Sequence, residues 1–162
     1  MPEAAVARPT AAPPEAQIAE IMLSQVISRL VFVAADLKLA DHLADGPRSA
    51  AELAALTRTN APALHRILRT MASLGFFKED GKHRFALAPL GAVLKSGTPS
   101  HAAALTLGGE MFTRSFDNLL YSAQTGKPGF ERAFGMPIFD WLAAHPTQAT
   151  LFASTMMGFH GM

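Results

Sequence analysis

The side chains able to do chemistry in this 162-residue chain are few in kind. Cysteine is absent, which removes disulfides, thiolate nucleophiles and thiolate metal sites together. Six histidines remain: His42, His65, His83, His101, His145 and His160. No two stand three or four residues apart, the helical spacing that would turn two rings toward one ion, so no metal site is expected. Asp41 and His42 are adjacent, and successive helical residues do not share a face, so they read as a surface pair. Leu107-Gly108-Gly109-Glu110 lacks the spacing and the preceding strand of a phosphate or dinucleotide loop. No serine sits in a nucleophile elbow. These residues assemble no complete active site.

What remains is apolar and aromatic. Met111, Phe112, Phe116, Trp141, Phe152, Met156, Phe159 and His160 form a set suited to a flat aromatic ligand, since thioethers pack adaptably against ring edges and faces. Eight methionines, with Met156 and Met157 adjacent, fit such a pocket. Met and Phe at helical spacing more often build an ordinary core, so the residues alone favour core over pocket. A second surface is basic: residues 47–96 hold eight basic against three acidic residues, whereas the whole chain is +1. A duplex reader would use Asn60, His65, Arg66 and Arg69 in the major groove and Lys82 and Arg84 on phosphates. Ala61, Ala63, Thr70 and Ala72 occupy much of the same helix's outer surface and read no base edges. Nucleic acid is therefore not expected as a partner.

These side chains need elements to position them. The composition, 49% hydrophobic and 17% charged, excludes a disordered chain, and the length suits one ordinary domain. Residues 1–14, with Pro2, Pro9, Pro13 and Pro14, read as a disordered Ala/Pro-rich leader. A long helix follows through Ile18, Ile21, Met22, Val26 and Leu30 to Leu37. Its segment 30–35 is apolar on every side, as in a core helix or, the favoured reading, a helix between subunits. The run 21–35 is interrupted by Arg29 and followed by Asp36, short of the roughly 20 apolar residues of a membrane span. No secretory signal opens the chain, so a cytoplasmic protein without a membrane segment is expected.

Ser49-Ala50-Ala51-Glu52 fits a capping box opening a short helix. Asn60, with Pro62 behind it, opens a second helix carrying Leu64, Ile67, Leu68, Met71 and Leu74 on one face, with Gly75 as its left-handed end. Residues 76–79 and 83–87 alternate around Asp80-Gly81-Lys82 as a β-hairpin. Helix, turn, helix and two-stranded wing make a winged helix. Beyond it the pattern predicts a long helix from Ser100 to about Thr125, short helices over 130–134 and 138–143, and a last one from Pro146 with Leu151, Phe152, Met156 and Phe159 on one face.

The order of these pieces resembles the N-terminal region of the S-adenosylmethionine-dependent small-molecule O-methyltransferases, the caffeate and hydroxyindole type. The resemblance is carried by residues 33–43, 49–53, 64–77 and 87–91. It continues through 126–130, 134–139, His145-Pro146 and 152–156. The stretch from Phe130 to Met156 is the more specific part, since a DNA-binding winged helix has no reason to carry it. The resemblance implies a mainly α fold: a winged-helix domain with a small β-hairpin wing plus additional helices, in an intertwined homodimer. Residues 15–97 would be the dimerisation domain. Residues 98–162 would line the acceptor pocket and lead to a Rossmann-like catalytic domain that this sequence does not contain. Met111, Phe112, Phe116, Met156, Phe159 and His160 would face a small aromatic acceptor; Met22, Gln25, Val26, Arg29, Leu30 and Val33 would face the partner subunit. S-adenosylmethionine would serve the full-length protein, but its loop and the catalytic histidine are absent here. Two rival readings make different demands: a stand-alone winged-helix regulator needs duplex affinity that falls steeply with salt, and a non-catalytic dimerising or ligand-binding module needs ligand affinity in this chain alone.

Overall fold

A computed structural model describes residues 13–160, which form eleven helices and one small sheet. The leader residues 1–12 and the His160 side chain lie outside the described residues. Helix α1 (Pro14–Asp36) opens with proline in its first turn, where a missing N–H costs nothing. It ends as Lys38 adopts a left-handed conformation and starts α2 (Leu39–His42). Strand β1 (Arg48–Ser49) leads into α3 (Ala50–Thr57) through the expected capping box. The Glu52 carboxylate accepts from the Ser49 N–H at 2.7 Å, and the Glu52 N–H donates to the Ser49 hydroxyl at 3.2 Å. Asn60 caps α4 (Ala61–Ser73), accepting from the Ala63 N–H at 3.0 Å. Gly75, at φ +84°, supplies the left-handed turn that ends it.

Strands β2 (Phe77–Glu79) and β3 (Arg84–Leu87) form the wing, and β1 pairs on the far side of β3, giving the antiparallel order β1-β3-β2. Phe77 faces Leu87, and Phe85 stands between Glu79 and Arg48. The third strand was not foreseen: two residues are too few for an alternation to show. Leu39, Leu53, Leu64, Leu68, Met71 and Phe85 are fully buried together and make this region's core. Helix α5 (Pro89–Ala92) closes it at Gly91, where a side chain would fall on the Phe76 carbonyl. The Asp41 carboxylate accepts from the Ser96 N–H at 3.1 Å and hydroxyl at 2.9 Å, so it anchors a loop rather than pairing with His42.

The expected long helix from Ser100 is three helices: α6 (Pro99–Gly108), α7 (Glu110–Phe116) and α8 (Leu119–Thr125). Gly109 is extended, at ψ 174°, and breaks the first pair. Periodicity missed the break because the apolar residues continue across it. The remaining helices are α9 (Gly129–Phe134), α10 (Ile138–Ala144) and α11 (Pro146–His160). Helix α6 is the spine of this second region, with α1 on one side and α11 on another. At the α1–α6 crossing, a Cβ on Gly108 would lie 2.5 Å from the Phe32 Cβ, so only glycine permits the approach.

By length and composition α1 could cross a membrane. Its C-terminal half is instead bound to the protein. Ala34 and Ala35 are buried, and the Arg29 guanidinium donates to the Gly108 carbonyl at 2.6 Å.

Candidate functional site

A polar pair is buried between α6 and α11. The buried Thr155 hydroxyl lies 3.0 Å from the Thr106 hydroxyl and 2.8 Å from the Leu151 carbonyl. Each oxygen thereby keeps a partner in a place where an unpaired one would be costly. Fixing Thr155 inward fixes the azimuth of α11. Phe152, Met156 and Phe159, at helical spacing, then share a neighbouring face.

That face is braced by aromatic rings from α7. Phe112 lies nearly parallel to Phe152, with centroids 6.4 Å apart and planes at 16°, and touches Phe116 at 5.6 Å. Phe116 and Phe159 are about half exposed, Phe112, Phe152 and Met156 are half-buried, and Met111 is buried. Beside this face is a cavity of about 550 Å³, lined among others by Val31, Leu94, Ala104, Leu107, Thr155 and Phe159. That volume lies within the range of small-molecule sites.

The expected pocket residues are therefore only partly one group. Phe112 meets both Phe116 and Phe152; among the described residues of the expected set, Phe159 alone lines the cavity; Met111 is core. Trp141, which composition grouped with them, belongs elsewhere. It stacks on His145 at 3.9 Å and meets Phe130 and Phe134 of α9, the latter ring also covered by Arg114 of α7. Sequence reasoning missed the cavity because its walls are mostly small residues of α1 and α6, and small apolar residues carry no chemical signature. The signal available was Gly108, a glycine inside a helical pattern marking a close crossing.

The uncovered apolar surface of α1 lies earlier than expected. Ile18, Ile21, Met22, Leu23 and Val26 stand out in solvent, with Ile21 at 64% and Met22 at 66% exposure. Gln25 is exposed beside them. Leu30 and Val33 are instead half-buried, Leu30 against the winged-helix core, and Arg29 is held by Gly108. The all-round apolar segment 30–35 is thus largely covered by its own chain, and the preceding three turns are not.

Part of the basic surface is engaged within the chain. Arg69 approaches Glu79 at 3.6 Å, Arg84 pairs with Asp80 at 3.1 Å, and Arg48 donates to the His42 carbonyl at 2.7 Å. The Asp80 carboxyl is held below its ordinary value by the Arg84 N–H first, then the Lys82 N–H and the Arg84 side chain. Two histidines that are distant in sequence, His65 and His83, do converge, on Glu79. The absence of a local His spacing therefore did not exclude a ligand cluster built by the fold.

The described residues hold no glycine loop between a strand and a helix. Their three strands are antiparallel, and Leu107-Gly108-Gly109-Glu110 joins two helices instead of a strand to a helix. The amide cradle of a dinucleotide-type loop is thus not formed by them.

Residues 19–97 match the family model of the O-methyltransferase dimerisation domain. Over 153 residues the chain is 37% identical to a phenazine O-methyltransferase of Lysobacter antibioticus, covering 94% of this chain and 45% of that protein. It is 34% identical over 119 residues to an 8-amino-8-demethylriboflavin N,N-dimethyltransferase of Streptomyces davaonensis, covering 72% of this chain and 34% of that protein. The crystal structure of LaPhzM superposes with a TM-score of 0.86 at 37% identity, over 91% of this chain and 45% of that one. The chain spans less than half the length of these relatives. In sequence and in fold the chain is thus similar to part of these methyltransferases, and residues 19–97 match the O-methyltransferase dimerisation domain.

Proposed function

We propose that this chain is the dimerising and acceptor-positioning part of an S-adenosylmethionine-dependent O-methyltransferase acting on a hydroxyl of a small, flat aromatic molecule. The observation that carries this reading is the aromatic and thioether face of α11: Phe152, Met156 and Phe159, braced by Phe112 and open beside a cavity of about 550 Å³. The two relatives named above act on fused-ring molecules by name, which fits rings stacking on such a face. Methyl transfer also needs a cofactor site and a base, and the described residues supply neither. The contribution of this chain is then to orient the acceptor, and orientation is worth several orders of magnitude in a two-substrate transfer. The chain by itself is expected to be inactive. A homodimer through the exposed face of α1 and a cytoplasmic location, where the cofactor is made, belong to the same proposal.

A duplex-binding role is not favoured: Arg69 and Arg84, which would face DNA, are paired with Glu79 and Asp80. The test is methyl transfer by the full-length protein from isotopically labelled S-adenosylmethionine to hydroxylated and amino-substituted phenazines and naphthoates. Transfer to hydroxyls is expected, with Met156→Ala raising the acceptor KM about tenfold, or about 1.4 kcal/mol of lost contact. Transfer to amino nitrogen alone, or to no aromatic acceptor, would overturn the reading.

A further inference from the structure

We infer that His65, Glu79 and His83 form a binding site for a borderline divalent cation of the Zn²⁺ type, which clasps the wing to helix α4. The three residues come from three places. His65 is on α4, Glu79 ends β2, and His83 lies in the tip of the wing. Their ligand atoms all lie within 4.8 Å of one another. Glu79 Oε1 is the shared centre, 3.0 Å from His83 Nδ1 and 3.9 Å from His65 Nε2. Two imidazole nitrogens and one carboxylate oxygen are a donor set that zinc accepts, with a fourth position left to water.

Several features orient the group. His83 has φ +56°, a left-handed conformation that folds the turn so that its ring meets the side chain four residues back. The Asp80 carboxylate fixes that turn by accepting from the Lys82 and Arg84 N–H groups, each at 2.9 Å. His65 packs edge-on against the buried Phe85, with centroids at 5.9 Å. Arg69, one turn beyond His65 on α4, lies 3.6 Å from Glu79 Oε2, the oxygen that the histidines do not approach. One carboxylate oxygen is thus held by a guanidinium while the other faces two imidazoles, the arrangement by which outer partners aim a metal ligand. Ligation at zinc–nitrogen distances of about 2.0–2.1 Å needs the ligand atoms to close by roughly an ångström. His83 is mostly exposed and can make that movement without disturbing the core. The surplus of basic residues in this region opposes a cation and sets the expected affinity in the micromolar range rather than below it.

The site shares no residue with the acceptor face and does not depend on the methyltransferase reading. The experiment is Zn²⁺ titration of the full-length, chelator-stripped protein by calorimetry, with thermal unfolding followed in parallel. One equivalent per chain is expected to depend on this cluster: bound zinc falls by one in His83→Ala and in His65→Ala, and stays unchanged in Lys82→Ala. At a hundredfold excess over Kd the melting temperature rises by about 5 °C, and this rise disappears in both histidine variants. If His65→Ala fails to fold, the exposed His83→Ala decides alone. Equal stoichiometry and equal thermal response in wild type and His83→Ala would overturn the inference, as would binding only at millimolar zinc.

Discussion

The winged-helix region and the helical region after residue 98 solve burial differently. In the first, Leu39, Leu53, Leu64, Leu68, Met71 and Phe85 are all sealed, drawn from three helices and a strand that close on one another. In the second, many of the larger apolar side chains stay in contact with water: Phe116, Leu119, Leu120, Phe139, Met157 and Phe159 are all exposed. Its buried residues are mostly small or polar, such as Ala102, Thr106 and Thr155. The first region is a core that finishes itself. The second is an apolar face held in shape by a few specific contacts, which suits a surface that other groups cover. Helix α1 joins the two and shares the character of both, bound by Ala34 and Ala35 at one end and bare at Ile18 to Val26.

Substitutions should separate the regions by size of effect. Leu68→Ala removes a fully buried side chain and is expected to cost about 2–5 kcal/mol in chemical denaturation. Leu120→Ala, at 70% exposure, should stay within about 0.5 kcal/mol. Similar losses at the two sites would break the contrast. Gly108→Val drives a side chain into Phe32 and pushes α6 off α1, an overpacking worth about 1–3 kcal/mol. It should also loosen Arg29, seen as faster amide exchange along the C-terminal half of α1.

The smallest effect is at the α3 cap, where Ser49→Ala should cost about 1 kcal/mol. The Glu52 carboxyl there is held below its ordinary value by the Ser49 N–H first, then by its hydroxyl. A lowered native value means that this carboxylate stabilises fully above its ordinary value of 4.5 and less as pH falls through the lowered one. The difference between Ser49→Ala and wild type, measured by denaturation across that range, should therefore shrink on acidification.

Much of the winged helix was legible because its signals are local. The Ser49–Glu52 box, the Asn60 cap, Gly75 and the Asp80–Lys82 turn each declare themselves within four residues. The candidate site was less legible because it depends on crossings. That Phe112 stacks on Phe152, that Thr106 meets Thr155, and that Arg29 reaches Gly108 are contacts 40, 49 and 79 residues apart. Nothing in the spacing of either partner encodes them. The convergence of His65 with His83 escaped for the same reason, and so did the boundary within α1 between covered and bare apolar turns.

The account rests most on that bare stretch of α1 being a subunit interface. The direct measurement is the solution mass of the full-length protein by sedimentation, compared with a variant carrying Ile21→Asp and Val26→Asp. Both positions are exposed, so the substitutions leave the core of the chain intact. Twice the chain mass for wild type, insensitive to salt because the contact is apolar, and a single chain mass for the folded variant are the predicted results. A variant that stays dimeric, or a wild type that is monomeric, would contradict the account.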